Sequence, residues 1–232
     1  MSERSTMLGN ESIGKLLTRL SVPATIAMIV QALYNLVDTI FVGQGVGVMG
    51  IAGVSIGFPI QMIIMSFAQM FGIGGASIIS RSLGANDVKK AERTMGNVFS
   101  LVIIMSAIIT ILGLIFIEPL LMLFGATEEI MPHAMEYISV ILMGAIFFSF
   151  AMASNNIIRS EGNARIAMNT MLISAGLNII LDPIFIFDTI PIINLPGLNM
   201  GTRGAALATV VSQAITVVYL IFHFLRGKSI VR

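Results

Sequence analysis

The sequence predicts an all-α integral membrane protein whose six transmembrane helices form one lobe. Of the 232 residues, 56% are hydrophobic and only 11% are charged, whereas a soluble domain carries about 25% charged residues. The apolar runs are also much longer than the strands of a membrane β-barrel. The chain has no cysteine, which excludes disulfides, thiol chemistry and cysteine-based metal sites.

Six apolar segments, each long enough to cross a bilayer, predict the six helices. They cover residues 17–43, 51–80, 95–117, 136–158, 166–187 and 203–225. Pro23 lies near the start of the first segment, where its missing N–H costs least, and Pro59 is expected to kink the second. The charged connector 81–94 is expected to form a short surface helix with Asn86 or Asp87 as its N-cap.

Basic residues in the links and termini predict the orientation of the helices. Twelve of the thirteen Lys and Arg residues fall on one side, and Arg203 alone falls on the other. By the positive-inside rule both termini are cytoplasmic, in a plasma membrane of the bacterial type. The chain then divides into a cytoplasmic N-terminal segment 1–16, a transmembrane lobe 17–226 and a cytoplasmic tail 227–232.

The first segment places a carboxylate where hydrocarbon is expected. Gln31, Asn35 and Asp38 are spaced i, i+4 and i+7, so they share one face of a helix. A charged side chain at the centre of a bilayer helix costs roughly 2.5 to 3.5 kcal/mol, so this face is expected to meet a polar interior. The alternative is that Asp38 lies at a helix end and reaches the headgroups, because a break at Gly43 follows closely.

The fifth segment repeats the pattern. Ser174, Asn178 and Asp182 are four residues apart and share one polar face, and Pro183 frees the carbonyl of Ile179 one turn earlier. Carboxylate and carbonyl oxygens are good ligands for hard cations. The alternative is that both aspartates lie at helix ends and bond to loop backbone.

The predicted topology brings Asp38 and Asp182 to a similar depth, because the first and fifth segments run in the same direction. Two carboxylates in one dry pocket cannot both stay charged without a counter-cation. Either one of them takes up a proton or the pair holds Na⁺. The residues therefore indicate a cation-coupled transporter, in which binding and release of the cation bias two arrangements of the helices.

Several stretches resemble the N-terminal half of multidrug and toxic compound extrusion (MATE) transporters. They are LSVPA at 20–24, LYNLVDTIFVG at 33–43, GGASIISRSLGA at 74–85, RSEGN at 159–163, NIILDPIF at 178–185 and GAALAT at 204–209. The resemblance covers nearly the whole chain in the expected order. It implies a fold of two six-helix lobes facing a central cavity and efflux of amphipathic, often cationic, drug-like compounds driven by H⁺ or Na⁺.

The resemblance also implies which side chains bind the coupling ion. In the family, the ion is bound by an Asp of the first helix, an Asn and an Asp of the fifth helix and a Thr of the sixth. The matching positions in this sequence are Asp38, Asn178, Asp182 and Thr209. Thr209 comes from the resemblance alone. Candidate cavity-lining residues are Gln31, Tyr34, Asn35 and Ser174, with plain interhelical hydrogen bonds as the alternative for the first three. No cofactor other than the coupling ion, and no metal other than Na⁺, is expected.

The chain holds six predicted spans where the family carries two such lobes. We expect this sequence to be a fragment of a longer protein, and a truncated gene product or an assembly of two copies are the alternatives. The expected partners are therefore lipid and either a C-terminal lobe or a second copy of the chain.

Two alternative functions remain. They are a lipid-linked saccharide flippase of the same superfamily and a non-transporting membrane subunit. Nucleic-acid binding is not indicated, because no basic cluster occurs. An enzyme is not indicated either, because no nucleophile–base set or metal motif occurs.

Overall fold

The computed structural model describes residues 12–191, 194–226 and 229–230, and every long element in this part of the chain is an α-helix. The helices are α1 (Ile13–Gly45), α2 (Val48–Gly84), α3 (Val88–Ile115), α4 (Ile117–Leu123), α5 (Met131–Met143), α6 (Ala145–Ser160), α7 (Ala164–Ile186) and α8 (Gly201–Leu225). Most of the predicted segment 1–16 and most of the tail 227–232 lie outside the described residues.

Five of the described helices are long and apolar enough to cross a membrane: α1, α2, α3, α7 and α8. A sixth span forms if α5 and α6 are counted together, although they are bent by 54°. The all-α membrane fold is therefore confirmed, but the prediction of one continuous helix over 136–158 is wrong. That span begins at Met131 and bends at Gly144.

The bend between α5 and α6 lies at a glycine that packs closely against another helix. A Cβ at Gly144 would overlap Cγ2 of Val210 on α8, so only glycine lets the two helices approach this closely. Near the bend, the carbonyl of Leu142 accepts a hydrogen bond of 2.7 Å from Oγ1 of Thr110 on α3. A neighbouring helix thus helps to satisfy the polar backbone around the bend.

Several predicted boundaries differ from the structure. α1 begins at Ile13 and continues to Gly45, so Pro23 lies well inside the helix rather than near its start. The connector 81–94 is not a separate helix. It consists of the last turn of α2, a tight turn and the first turns of α3. In that turn Asn86 has a φ of 60°, and Asp87 caps α3 by accepting a hydrogen bond of 3.0 Å from the backbone N–H of Lys90.

The loop between α7 and α8 folds back onto the end of α7. Backbone N–H groups of Leu198 and Met200 donate hydrogen bonds of 2.9 Å to the carbonyls of Ile184 and Phe185. These carbonyls have no helical partner, because α7 ends at Ile186. The loop therefore closes the end of the bundle that lies opposite the basic connectors, about one turn beyond Asp182.

Candidate cation-binding site

Two carboxylates meet in the interior of the bundle. Asp38 on α1 is 7% exposed and Asp182 on α7 is fully buried, and their side chains lie within interaction distance of each other. Asp38 precedes the end of α1 by two turns, so the alternative of a helix-end residue reaching the headgroups is wrong. Hydrogen bonding to loop backbone, which was the alternative role for the two aspartates, is seen at Asp188. Its side chain accepts a hydrogen bond from the backbone N–H of Thr189.

Asn178 connects the carboxylates to the last helix. Its Nδ2 atom donates to Oδ1 of Asp182 and to Oγ1 of Thr209, both at 3.2 Å. The hydroxyl groups of Thr209 and Tyr34 lie 3.4 Å apart. Side chains from α1, α7 and α8 therefore form one hydrogen-bonded cluster, and all four predicted cation-site residues lie in or beside it.

Three oxygen atoms of this cluster have no donor among the described residues. They are Oδ1 of Asp38, Oδ1 of Asn178 and Oδ2 of Asp182, and each is shielded from solvent. Buried polar atoms in native proteins are nearly always paired. A group of unpaired buried acceptors is the arrangement that a proton or a small hard cation would satisfy.

A narrow crevice adjoins the cluster on the side toward the basic connectors. Gln31, Tyr34, Ser174 and Thr209 contribute to its wall, together with Asn178. Its volume is about 10 Å³, close to the space that one water molecule needs. Gln31, Tyr34 and Ser174 therefore meet at this crevice, and their role in lining a substrate cavity stays a prediction.

Asn35 does not line this crevice. Its side chain is exposed on α1, and its backbone carbonyl accepts a hydrogen bond of 2.8 Å from Thr39, so its role in lining a cavity between lobes stays a prediction. The face of α1 that meets α7 carries Tyr34 and Asp38, which are four residues apart. An i, i+3 neighbour of Asp38 is rotated away from that contact because the inward face is narrow.

Two residues near the cluster are not among the predicted site residues. The hydroxyl of Tyr137 on α5 accepts a hydrogen bond of 3.5 Å from Nε2 of Gln61 on α2. Tyr137 is 3% exposed and lies close enough to Asp38 for the two groups to interact electrostatically. No periodic pattern signals this pair, because each residue is a single polar side chain within an apolar segment.

Replacing Thr209 by Val is expected to weaken the cluster without changing its volume. The change removes the acceptor for Asn178 and the contact with Tyr34, and we expect a cost of about 1 kcal/mol in the free energy of unfolding. Thermal unfolding in detergent would measure it. Thr216→Val is the matched control, because among the described contacts the Thr216 hydroxyl bonds only within its own helix, to the carbonyl of Ser212. Equal losses in both variants would contradict a special role for Thr209.

Comparison with known proteins places this fold in a family. The MatE family model matches residues 23–184. The multidrug export protein MepA of Staphylococcus haemolyticus is 30% identical over 94% of this chain and 46% of its own length. A protein of Shewanella oneidensis named FAD transporter is 34% identical over 91% of this chain and 45% of its own length. The solved structure of the MATE multidrug transporter DinF-BH is 49% identical, with a TM-score of 0.89 over 100% of this chain and 50% of that chain.

The described residues form a multi-pass helical bundle with a buried polar cluster among its helices, and the relatives that it matches are named as export or transport proteins. The chain belongs to the MatE family, and the resemblance to the N-terminal lobe of MATE transporters is confirmed. It spans about half the length of the curated relatives that it matches.

Proposed function

We propose that this chain is a lobe of a cation-coupled transporter that exports amphipathic drug-like compounds, and that Asp38, Asn178, Asp182 and Thr209 bind the coupling ion. The observation that carries the proposal is the group of unpaired buried oxygens around the two aspartates. The proposed ligands are oxygen atoms only, which suits H⁺ or Na⁺. The names of the MepA and DinF-BH relatives support the substrate class.

Coupling would follow from the electrostatics of the pair. With no cation bound, two buried carboxylates repel each other, and α1 and α7 are pushed apart. A bound proton or Na⁺ removes the repulsion and lets Asp38 pack against Asp182. The ion therefore binds the two helix arrangements with different affinities, which is the condition for a ligand to shift a conformational equilibrium.

The substrate would bind elsewhere. The crevice beside Asn178 has a volume of about 10 Å³, whereas pockets for drug-sized ligands measure about 300 to 1,000 Å³. A cavity of that size would form between this lobe and a second lobe or a second copy of the chain. The basic connectors favour an orientation with that end of the bundle in the cytoplasm of a bacterial-type cell.

The test is dye export by cells that lack their own pumps and express the full-length protein. We expect ethidium efflux that stops in one of two conditions: when a proton ionophore is added at constant Na⁺, or when external Na⁺ is replaced by K⁺. The condition that stops export identifies the coupling ion. Export that persists in both conditions would overturn cation coupling.

A flavin nucleotide is a second candidate substrate, because the Shewanella oneidensis relative is named FAD transporter. An anionic substrate would need basic side chains in the cavity that this lobe would share with a second lobe or a second copy. Ethidium and FAD export by the same cells would separate the candidates. Export of FAD without ethidium would favour the flavin.

A further inference from the structure

A second cavity lies at the basic end of the bundle, far from the aspartates. It has a volume of about 250 Å³, and it lies between the first turn of α7 and the last two turns of α8. Its described lining residues are Ile166, Tyr219, Phe222, His223 and Arg226. The proposed cation-coupled function does not use this cavity.

The cavity combines a cationic end with an aromatic wall. The Arg226 guanidinium carbon lies 5.8 Å from the centre of the Phe222 ring, and no ion pair between Arg226 and a carboxylate is found among the described residues. His223 lines the same space and is 6% exposed. Arg165 directly precedes Ile166 at the start of α7, where the positive end of the helix dipole adds to the field.

The depth of these residues in the membrane matches a lipid. The apolar span of α8 ends at Leu225, so Arg226 lies at the level of the headgroups. Phe222 and Tyr219 lie one and two turns deeper, at the level of the glycerol and the first acyl carbons. Exposed apolar side chains continue along this helix, and among them Ile215, Val218, Phe222 and Leu225 recur at helical spacing.

A molecule that fits this arrangement carries a negative charge at one end and a long apolar body at the other. A small soluble anion could use Arg226 but would leave the aromatic wall and the apolar strip uncovered. Basic pockets between transmembrane helices at the cytoplasmic side are a known form of lipid headgroup recognition. We propose that this cavity binds an anionic phospholipid, with the phosphate at Arg226 and an acyl chain along α8.

The experiment measures lipid binding to the purified full-length protein by native mass spectrometry, with phosphatidylglycerol titrated against phosphatidylcholine. Arg226→Gln is expected to weaken phosphatidylglycerol binding by about fivefold, the effect of one basic residue at an anionic surface. Arg226→Lys keeps the charge and is expected to retain most of the binding. Arg93→Gln is the matched control, because Arg93 is an exposed arginine at the same end on α3 and does not line the cavity.

Each other outcome overturns the proposal. Equal losses in Arg226→Gln and Arg93→Gln would mean that only the general charge of this end matters. Equal affinity for both lipids would exclude recognition of the anionic headgroup. Competition by free glycerol phosphate at the concentration at which phosphatidylglycerol binds would identify a site for small anions. Thermal unfolding checks that every variant is folded. Phe222→Ala removes the Phe222 ring from the aromatic wall but removes no charge. It is expected to weaken binding of phosphatidylglycerol and to leave binding of free glycerol phosphate unchanged.

Discussion

Cells that carry Asp182→Asn are expected to lose gradient-driven export completely, while the protein still inserts into the membrane. The substitution keeps the volume of the side chain and its contact with Asn178, but it removes one of the two buried negative charges. When only one of the two side chains is charged, there is no repulsion for a cation to relieve. The ion then binds both helix arrangements with similar affinity and cannot shift the equilibrium between them. Ethidium efflux in a strain without its own pumps, normalised to the amount of protein in the membrane, measures the effect.

Asp38→Asn is expected to give the same loss, because it removes the other charge of the same pair. The matched control is Asp188→Asn, since this aspartate is exposed in the loop after α7 and its side chain bonds only to its neighbour Thr189 among the described contacts. Export by Asp188→Asn should match the parent protein. If Asp38→Asn and Asp182→Asn both export dye at the parental rate, the cluster does not couple a cation to transport.

The second large effect is expected at Gly204, where Ala should prevent stable folding. A Cβ at this position would lie 2.5 Å from the carbonyl oxygen of Phe185 and 2.7 Å from its carbonyl carbon. Both atoms belong to the backbone and cannot rotate away, so α8 would have to separate from the end of α7. We expect a loss of about 3 kcal/mol in the free energy of unfolding, visible as aggregation or a strongly lowered melting temperature in detergent.

Gly176 offers the control for that experiment. It lies in the middle of α7, and a Cβ there would meet nothing within 4 Å. Gly176→Ala should change the stability by less than about 1 kcal/mol, in the stabilising direction, because Ala has the higher helix propensity. A Gly204→Ala protein that melts like the Gly176→Ala protein would show that α7 and α8 are not held as closely as the structure indicates.

The polar residues that repeat along one helix were predictable from the sequence. Asp182 and Asn178 repeat at helical spacing in an apolar segment, and the cost of burying them in lipid indicates that they face inward. Asp38 was predictable for the same reason. Spacing fixes a face only to within tens of degrees, and Asn35, three residues before Asp38, does not line the crevice. The six spans were also predictable, because length and hydropathy are local properties.

Features that depend on contacts between helices were not predictable in this way. Thr209 is identified by family resemblance, because a single Thr in an apolar segment has no periodic companion to distinguish it. The pairing of Gln61 with Tyr137 joins residues 76 positions apart, and no local pattern reports it. No proline marks the bend at Gly144 in the sequence, and the close approach of Val210 on α8 is a contact between helices that no local pattern reports.

If the two aspartates bind the coupling ion as proposed, the folded-back loop after α7 limits the direction from which that ion can reach them. Leu198 and Met200 seal the end of α7, and Ile186 and Ile190 are buried beneath that seal. The crevice beside Asn178 lies on the opposite side of the pair, toward the middle of the bilayer. An ion would therefore arrive and leave through the interior of the transporter rather than through the nearer membrane surface. If the substrate occupies that interior, the ion and the substrate use the same access route. They must then bind one after the other.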